Sequence, residues 1–224
     1  TDALAAFESA ISLDPVFMPA HFHKGLVLSD LKRYKESLAS FDTILENSPE
    51  DADALLGKAR ALSLLNRPAD ALEPLDRYLA QVGTRAGDWI FRGTLLVEME
   101  RYRDAIPAFD RAVELEPDNI TAWYRKGNTY LALNEYDDAI ASFDQVISRD
   151  EQCAGAHLKR GSALLSLGRF EPAVAALTRS LELRPGNASG WYDRAVALAE
   201  LERYEEAVES CDRAIAINGR FTNA

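Results

Sequence analysis

Apolar residues recur along this chain at helical spacing, in runs that stop and restart with a fixed beat. Trp123, Gly127, Tyr130 and Leu131 form one run. After the short break Leu133-Asn134-Glu135, a second run follows: Tyr136, Ala139, Ile140, Phe143 and Ile147. Apolar positions three and four apart make one face of a helix, so this stretch predicts two helices joined by a tight turn. Pro117 to Asn119, and Pro49 to Asp51 further up, supply a helix stop followed by a capping side chain.

A shift of 34 residues in either direction brings the same residue types back. The small residue Gly127 becomes Gly25, Ala59, Gly93, Gly161 and Ala195; Ala139 becomes Ser37, Ala71, Ala105, Ala173 and Ala207. The Phe143 column reads Phe7, Phe41, Leu75, Phe109, Leu177 and Cys211, and the loop-closing column is mostly Pro or Gly. No insertion breaks the register. The chain divides into a half repeat, 1–17, and six full repeats, 18–51, 52–85, 86–119, 120–153, 154–187 and 188–221, in a single array over 1–224; Thr222 opens another. Small residues let the two helices of a pair approach closely, and the large ones fill the space around them. Each pair meets only its neighbours, so stability builds along one dimension. Pro74 and Pro107 fall inside second helices, where each deletes a backbone hydrogen bond and is expected to bend the helix. Pro172 lies in a first turn and Pro68 starts its helix, where proline is tolerated.

The unit carrying Trp123, Gly127, Tyr130, Ala139 and Phe143 resembles the tetratricopeptide repeat (TPR) family. Lys126 stands where that family usually has Leu, and Glu151 where it has Pro. The resemblance covers essentially the whole chain. It implies an all-α fold, a right-handed α-solenoid of antiparallel helix pairs, with a concave groove lined mainly by the first helix of each unit. It says little about function, since architecture and not chemistry defines the family.

Composition narrows the partners. The chain has 25 Lys and Arg against 36 Asp and Glu, a formal net charge of −11. An acidic surface argues against nucleic acid and against an anionic membrane. No apolar run approaches a membrane span, and Thr1-Asp2 does not open a signal peptide. The first residue is not Met, which reads as a fragment or a processed chain. Cys153 and Cys211 cannot build a disulfide framework and are expected as reduced thiols, the latter buried in a Phe column. A cytoplasmic location is expected.

Chemistry is sparse. His21 and His157 stand in the Trp123 column and are expected to pack as aromatics; His21 and His23 lie on different helix faces. There is no zinc-type Cys or His spacing, no phosphate loop and no nucleophile elbow. Helical glycines and carboxylates recur at repeat phase, which is a packing signature. Two glycosylation sequons, at Asn119 and Asn187, are read as chance. No catalytic residue, cofactor or metal is expected, and the chain is read as not an enzyme.

What remains is the groove that the resemblance implies. Four residues into each unit stand Phe22, Leu56, Ile90, Tyr124, Leu158 and Tyr192, all apolar or aromatic. Leu26, Val97, Leu131 and Val196 extend the strip, and Arg60, Thr94, Arg125, Asn128, Lys159 and Ser162 lie beside it. One alternative is that neighbouring helices cover these positions; the other is an apolar strip that binds an extended or helical partner segment. A central positive spot would set the register of an acidic segment. One family subtype holds chaperone C-termini with a Lys/Asn/Asn/Lys/Arg clamp. Asn128 fits it, but Tyr124, Ser162, Ser189 and Asp193 do not, so that binding is rejected. The leading expectation is a non-catalytic scaffold that binds a protein or peptide. The alternative is a regulatory or substrate-recruiting arm of a larger enzyme or secretion component.

Two further expectations concern neighbouring units. The residue before the small column is always basic, and sixteen residues earlier stand Glu8, Asp42, Asp76, Asp110, Asp144 and Thr178. Antiparallel packing predicts the ion pairs Glu8–Lys24, Asp42–Lys58, Asp76–Arg92, Asp110–Lys126 and Asp144–Arg160, with Thr178–Arg194 a defective rung. The two ends of the array are expected to be adhesive and to allow self-association, since nothing in the sequence covers Ala214, Ile215 and Ile217.

Overall fold

Capping side chains fix the starts of three helices that open repeats. Asp51 accepts a hydrogen bond from the Ala54 amide at 2.8 Å, Asn119 from Ala122 at 3.0 Å and Asn187 from Gly190 at 3.1 Å. Each satisfies an amide that the first helical turn leaves unpaired. The structure, a computed structural model, describes residues 2–218; Thr222 lies outside them. These form thirteen helices and no strand among the described residues. Helix α1 (Asp2–Leu13) stands before the pairs α2 (Met18–Asp30) with α3 (Tyr34–Asn47), α4 (Ala52–Leu64) with α5 (Pro68–Gln81), and α6 (Ala86–Glu98) with α7 (Tyr102–Leu115). The pairs α8 (Ile120–Ala132) with α9 (Tyr136–Arg149), α10 (Ala154–Ser166) with α11 (Phe170–Leu183), and α12 (Ala188–Glu200) with α13 (Tyr204–Ile217) follow. Two compact units result, Thr1–Leu115 and Glu116–Ala224. Each is a stack of helix pairs. No described helix is long and apolar enough to cross a membrane.

The turn within each pair is the same device six times. One residue takes a left-handed backbone, with φ of 60° at Lys32, 58° at Asn66, 57° at Glu100, 58° at Asn134, 69° at Gly168 and 58° at Glu202. The amide after it then returns to the first helix, as from Arg33 to Leu28 at 2.8 Å and from Arg169 to Leu164 at 2.9 Å. That closes the helix end and reverses the chain.

Aromatic side chains tie five of the six pairs to the loop before them, Leu55 taking the position in the α4 pair. Trp89, Trp123 and Trp191 donate from Nε1 to the carbonyls of Gly83, Pro117 and Pro185 at 2.9, 2.8 and 2.8 Å. His21 and His157 bond the carbonyls of Pro15 and Glu151 at 2.9 and 3.1 Å, so histidine here fills a tryptophan's place in packing and hydrogen bonding alike.

Close approach of the helices around Phe41 depends on two glycines, Gly25 of the small column and Gly57 outside it. A Cβ on Gly25 would stand 2.8 Å from the Phe41 ring, and one on Gly57 2.5 Å from it. Phe41 of α3 is thereby held between α2 and α4, and is 1% exposed. Burying such a ring contributes about 2 to 3 kcal/mol. Pro74 and Pro107 stand inside α5 and α7, and both helices run on through them, each short of one backbone donor. Cys211 is only half-buried and not the core residue expected, because no described helix packs over α13. Ala214, expected to need a further helix, is fully buried.

Ion pairs join one pair of helices to the next. Lys24 Nζ is 3.3 Å from Glu8, Lys58 Nζ 2.8 Å from Asp42, Arg92 Nε 2.7 Å from Asp76 and Arg160 Nε 2.6 Å from Asp144. At the defective rung, Arg194 donates to the Thr178 hydroxyl at 3.0 Å and to Ser210 at 2.6 Å.

Candidate partner-binding faces

Next-nearest helices meet mainly on one side of each stack. First helix meets first helix at α2 and α4 in the first unit, and at α8, α10 and α12 in the second. The first helices are thus the crowded, inner layer of each unit, and their outward residues form the candidate faces.

The fourth-position column mostly serves packing. Phe22 lies edge-on to Phe41, with ring centroids 6.0 Å apart, and Tyr124 edge-on to Phe143 at 5.7 Å. Leu56 is 7% exposed and belongs to the core around Leu75 and Tyr78. Ile90 and Val97 pack on Phe109, and Leu158, Leu131 and Leu165 on the core around Leu177. Of the expected apolar strip, Leu26 at 42% and Tyr192 at 37% stay open, with Val196 half-buried beside the latter. An open apolar groove of about 470 Å³ continues from Tyr192 and Val196 to Tyr204, Val208 and Ile215.

Polar groups on the first-unit face converge on Asp88. Its carboxylate is buried, accepts from the Tyr78 hydroxyl at 2.8 Å and from Arg85 Nε at 2.9 Å, and has Arg60 Nη2 at 3.7 Å. Arg85 also donates to the Tyr78 hydroxyl at 2.7 Å. Burial, then the bond to Asp88, pushes the Tyr78 phenol above its usual range. Thr94 bonds the Ile90 carbonyl within its own helix. Of this cluster only Arg60 was singled out by sequence. The signal was present: Asp88 replaces an alanine column, and Arg85 stands where Asp51, Asn119 and Asn187 cap.

On the second-unit face, Tyr124 hydrogen-bonds with Asn128, and burial raises its pKa. Gly155 leaves room for the ring, since a Cβ there would stand 2.9 Å from the Tyr124 hydroxyl. Ser162 donates to Asp193 Oδ2 at 2.7 Å. Burial raises the Asp193 pKa, while Ser162 and then Lys159 oppose the rise. Arg125 is exposed. Each face therefore carries paired, partly desolvated polar groups beside open apolar ones. Among the described residues no three His, Cys, Asp or Glu side chains gather as a metal site.

A family model described as Tetratricopeptide repeat matches the chain over residues 1–51, 29–86, 92–154, 124–188 and 158–220. No curated protein matches. Among solved structures, a MamA protein is 22% identical, with a TM-score of 0.71 over 77% of this chain and 94% of its own. YrrB, described as a TPR protein with an unusual peptide-binding site, is 26% identical, with a TM-score of 0.70 over 80% of this chain and 92% of its own. The C-terminal part of a TPR repeat-containing protein from Cytophaga hutchinsonii is 18% identical, with a TM-score of 0.77 over 89% of this chain and 80% of its own.

Proposed function

Because the chain belongs to the tetratricopeptide repeat family, we propose that it is a non-catalytic scaffold whose first-helix faces bind a peptide or helical segment of a partner protein. The observation that carries this reading is the half-buried Asp193 carboxylate, bonded to Ser162 on the second-unit face. Holding a carboxylate partly out of water is unfavourable by itself, and a donor brought by a partner offsets that cost. The open apolar residues Leu26 and Tyr192 supply area beside the polar groups. The peptide-binding site in the description of YrrB supports the same class of ligand. The free cysteines Cys153 and Cys211 support a reducing compartment.

The test is affinity for a partner segment isolated on the wild-type chain. Leu26→Glu on the first-unit face and Tyr192→Glu on the second change open positions, and the one on the face that the segment occupies should weaken binding by about tenfold or more without lowering Tm. Thr43→Arg, on a second helix, should leave binding unchanged. If both face variants bind as tightly as wild type, the faces are not the site.

A further inference from the structure

We propose that Arg60 and Arg85, drawn onto the buried Asp88 carboxylate, form an anion anchor on the first unit that receives a carboxylate side chain of an acidic partner segment. This rests on the reading of the first-helix faces as partner sites, and adds the chemistry of the ligand.

Three departures from the repeat meet at this point. Asp88 stands where the other units have Ala20, Ala54, Ala122, Ala156 and Gly190. Tyr78 stands in a column otherwise made of Ala10, Ile44, Ala112, Val146, Ser180 and Ala214. Arg85 stands where Asp51, Asn119 and Asn187 cap and Phe17 and Cys153 do not, and it puts a cation at the uncapped start of α6. Any one of them alone would be unfavourable: a buried carboxylate, a phenol in an apolar column, or a cation at a helix start. Together they satisfy one another through the bonds of Tyr78 and Arg85 to Asp88.

Arg60 is what the internal bonding does not require. Asp88 Oδ2 already has two donors, and Arg60 reaches only within 3.7 Å of Oδ1, beyond a hydrogen bond. Its side chain is 57% exposed, that of Arg85 60%, and that of Asp88 5%. Two guanidiniums therefore share one carboxylate, which leaves an excess positive charge at the surface of a chain of net charge −11. Asp88 and Tyr78 hold Arg85 through its Nε and Nη2, and the Asp88 charge draws Arg60 without a hydrogen bond, so both guanidiniums keep donors free of Asp88 on side chains more than half exposed. A carboxylate arriving from outside can take donors from both, in the geometry arginine favours. A neutral or basic side chain gains nothing there. Gly87 beside the site meets nothing within 4 Å of where a Cβ would be, so a ligand has room.

The experiment follows the Arg Nε–Hε resonances of the isotope-labelled chain during titration. The probes are acetyl-Glu-Leu-Asp-Leu-Glu-amide and its uncharged counterpart acetyl-Gln-Leu-Asn-Leu-Gln-amide. The acidic peptide should shift the Arg60 and Arg85 signals saturably, and the uncharged one should not. Arg60→Gln should weaken the acidic peptide at least about fivefold at unchanged Tm, whereas Arg125→Gln, an exposed arginine of the second unit, should not. Equal shifts with both peptides would overturn the anchor while leaving peptide binding on the face intact. Absence of a saturable shift with the acidic peptide, or unchanged affinity in Arg60→Gln, would overturn it as well.

Discussion

Arg92 on α6 donates from Nε to Asp76 on α5 at 2.7 Å, across sixteen residues of sequence. The same offset joins Lys24 to Glu8, Lys58 to Asp42 and Arg160 to Asp144. Each pair ties a second helix to the first helix of the next pair. These side chains are partly exposed, so each contributes modestly, and their shared role is to fix how one pair sits on the next. A double-mutant cycle with Asp76→Asn and Arg92→Gln should give a coupling of about 0.5 kcal/mol that shrinks with salt. Thr178→Asp should put a carboxylate at the ladder position opposite Arg194, which already has Glu206 at 3.8 Å, and raise stability by a similar amount or less. A destabilised Thr178→Asp chain would contradict the ladder.

Two glycines should respond in opposite directions to the same change. Gly57→Ala forces a methyl to within 2.5 Å of the Phe41 ring, and should cost about 1 to 3 kcal/mol in denaturant unfolding. Gly87→Ala meets nothing within 4 Å in the first turn of α6, and should gain up to about 1 kcal/mol through helix propensity. Equal effects would mean that helix propensity alone, and not contact with Phe41, decides what position 57 tolerates.

Asp193 makes stability depend on pH. Its folded-state pKa is raised by burial, so the charged form is disfavoured in the folded chain relative to the unfolded one. The folded chain therefore loses stability as pH rises through that raised pKa. Asp193→Asn should have the higher Tm at neutral pH, and the difference should vanish below the ordinary carboxylate value of 3.8. Matching melting curves at pH 7 would show that the carboxylate is solvated.

The face of α13 should mediate self-association. Val208 is 60% exposed, whereas its counterparts Ile140 and Val174 are 9% and 8% exposed under the helix that follows them. With Tyr204 also 60% exposed, the patch is apolar and open. Sedimentation should show concentration-dependent association that Val208→Glu reduces. A wild-type chain that stays monomeric throughout would contradict this.

The 34-residue period made the helix pairs, their boundaries and the ladder legible, because each recurs at fixed phase and repetition separates signal from accident. The faces were less legible, for two reasons. The fourth-position column reads as an apolar strip, but whether Phe22 or Leu56 faces outward depends on how far it leans over Phe41 or joins the Leu75 core, which periodicity does not encode. The Asp88 cluster was visible only as departures at Tyr78, Arg85 and Asp88, which lie in three different columns. Their meeting depends on the antiparallel register of α5 and α6, which three-dimensional packing supplies.

Hydrogen–deuterium exchange of the chain with and without its bound partner segment tests the central claim most directly. Protection should appear in the first helices, on α2, α4 and α6 around Leu26 and Arg60, or on α8, α10 and α12 around Asn128 and Ser162, while α3, α5, α9 and α11 exchange as before. Protection confined to the second helices, with the first helices unchanged, would contradict it.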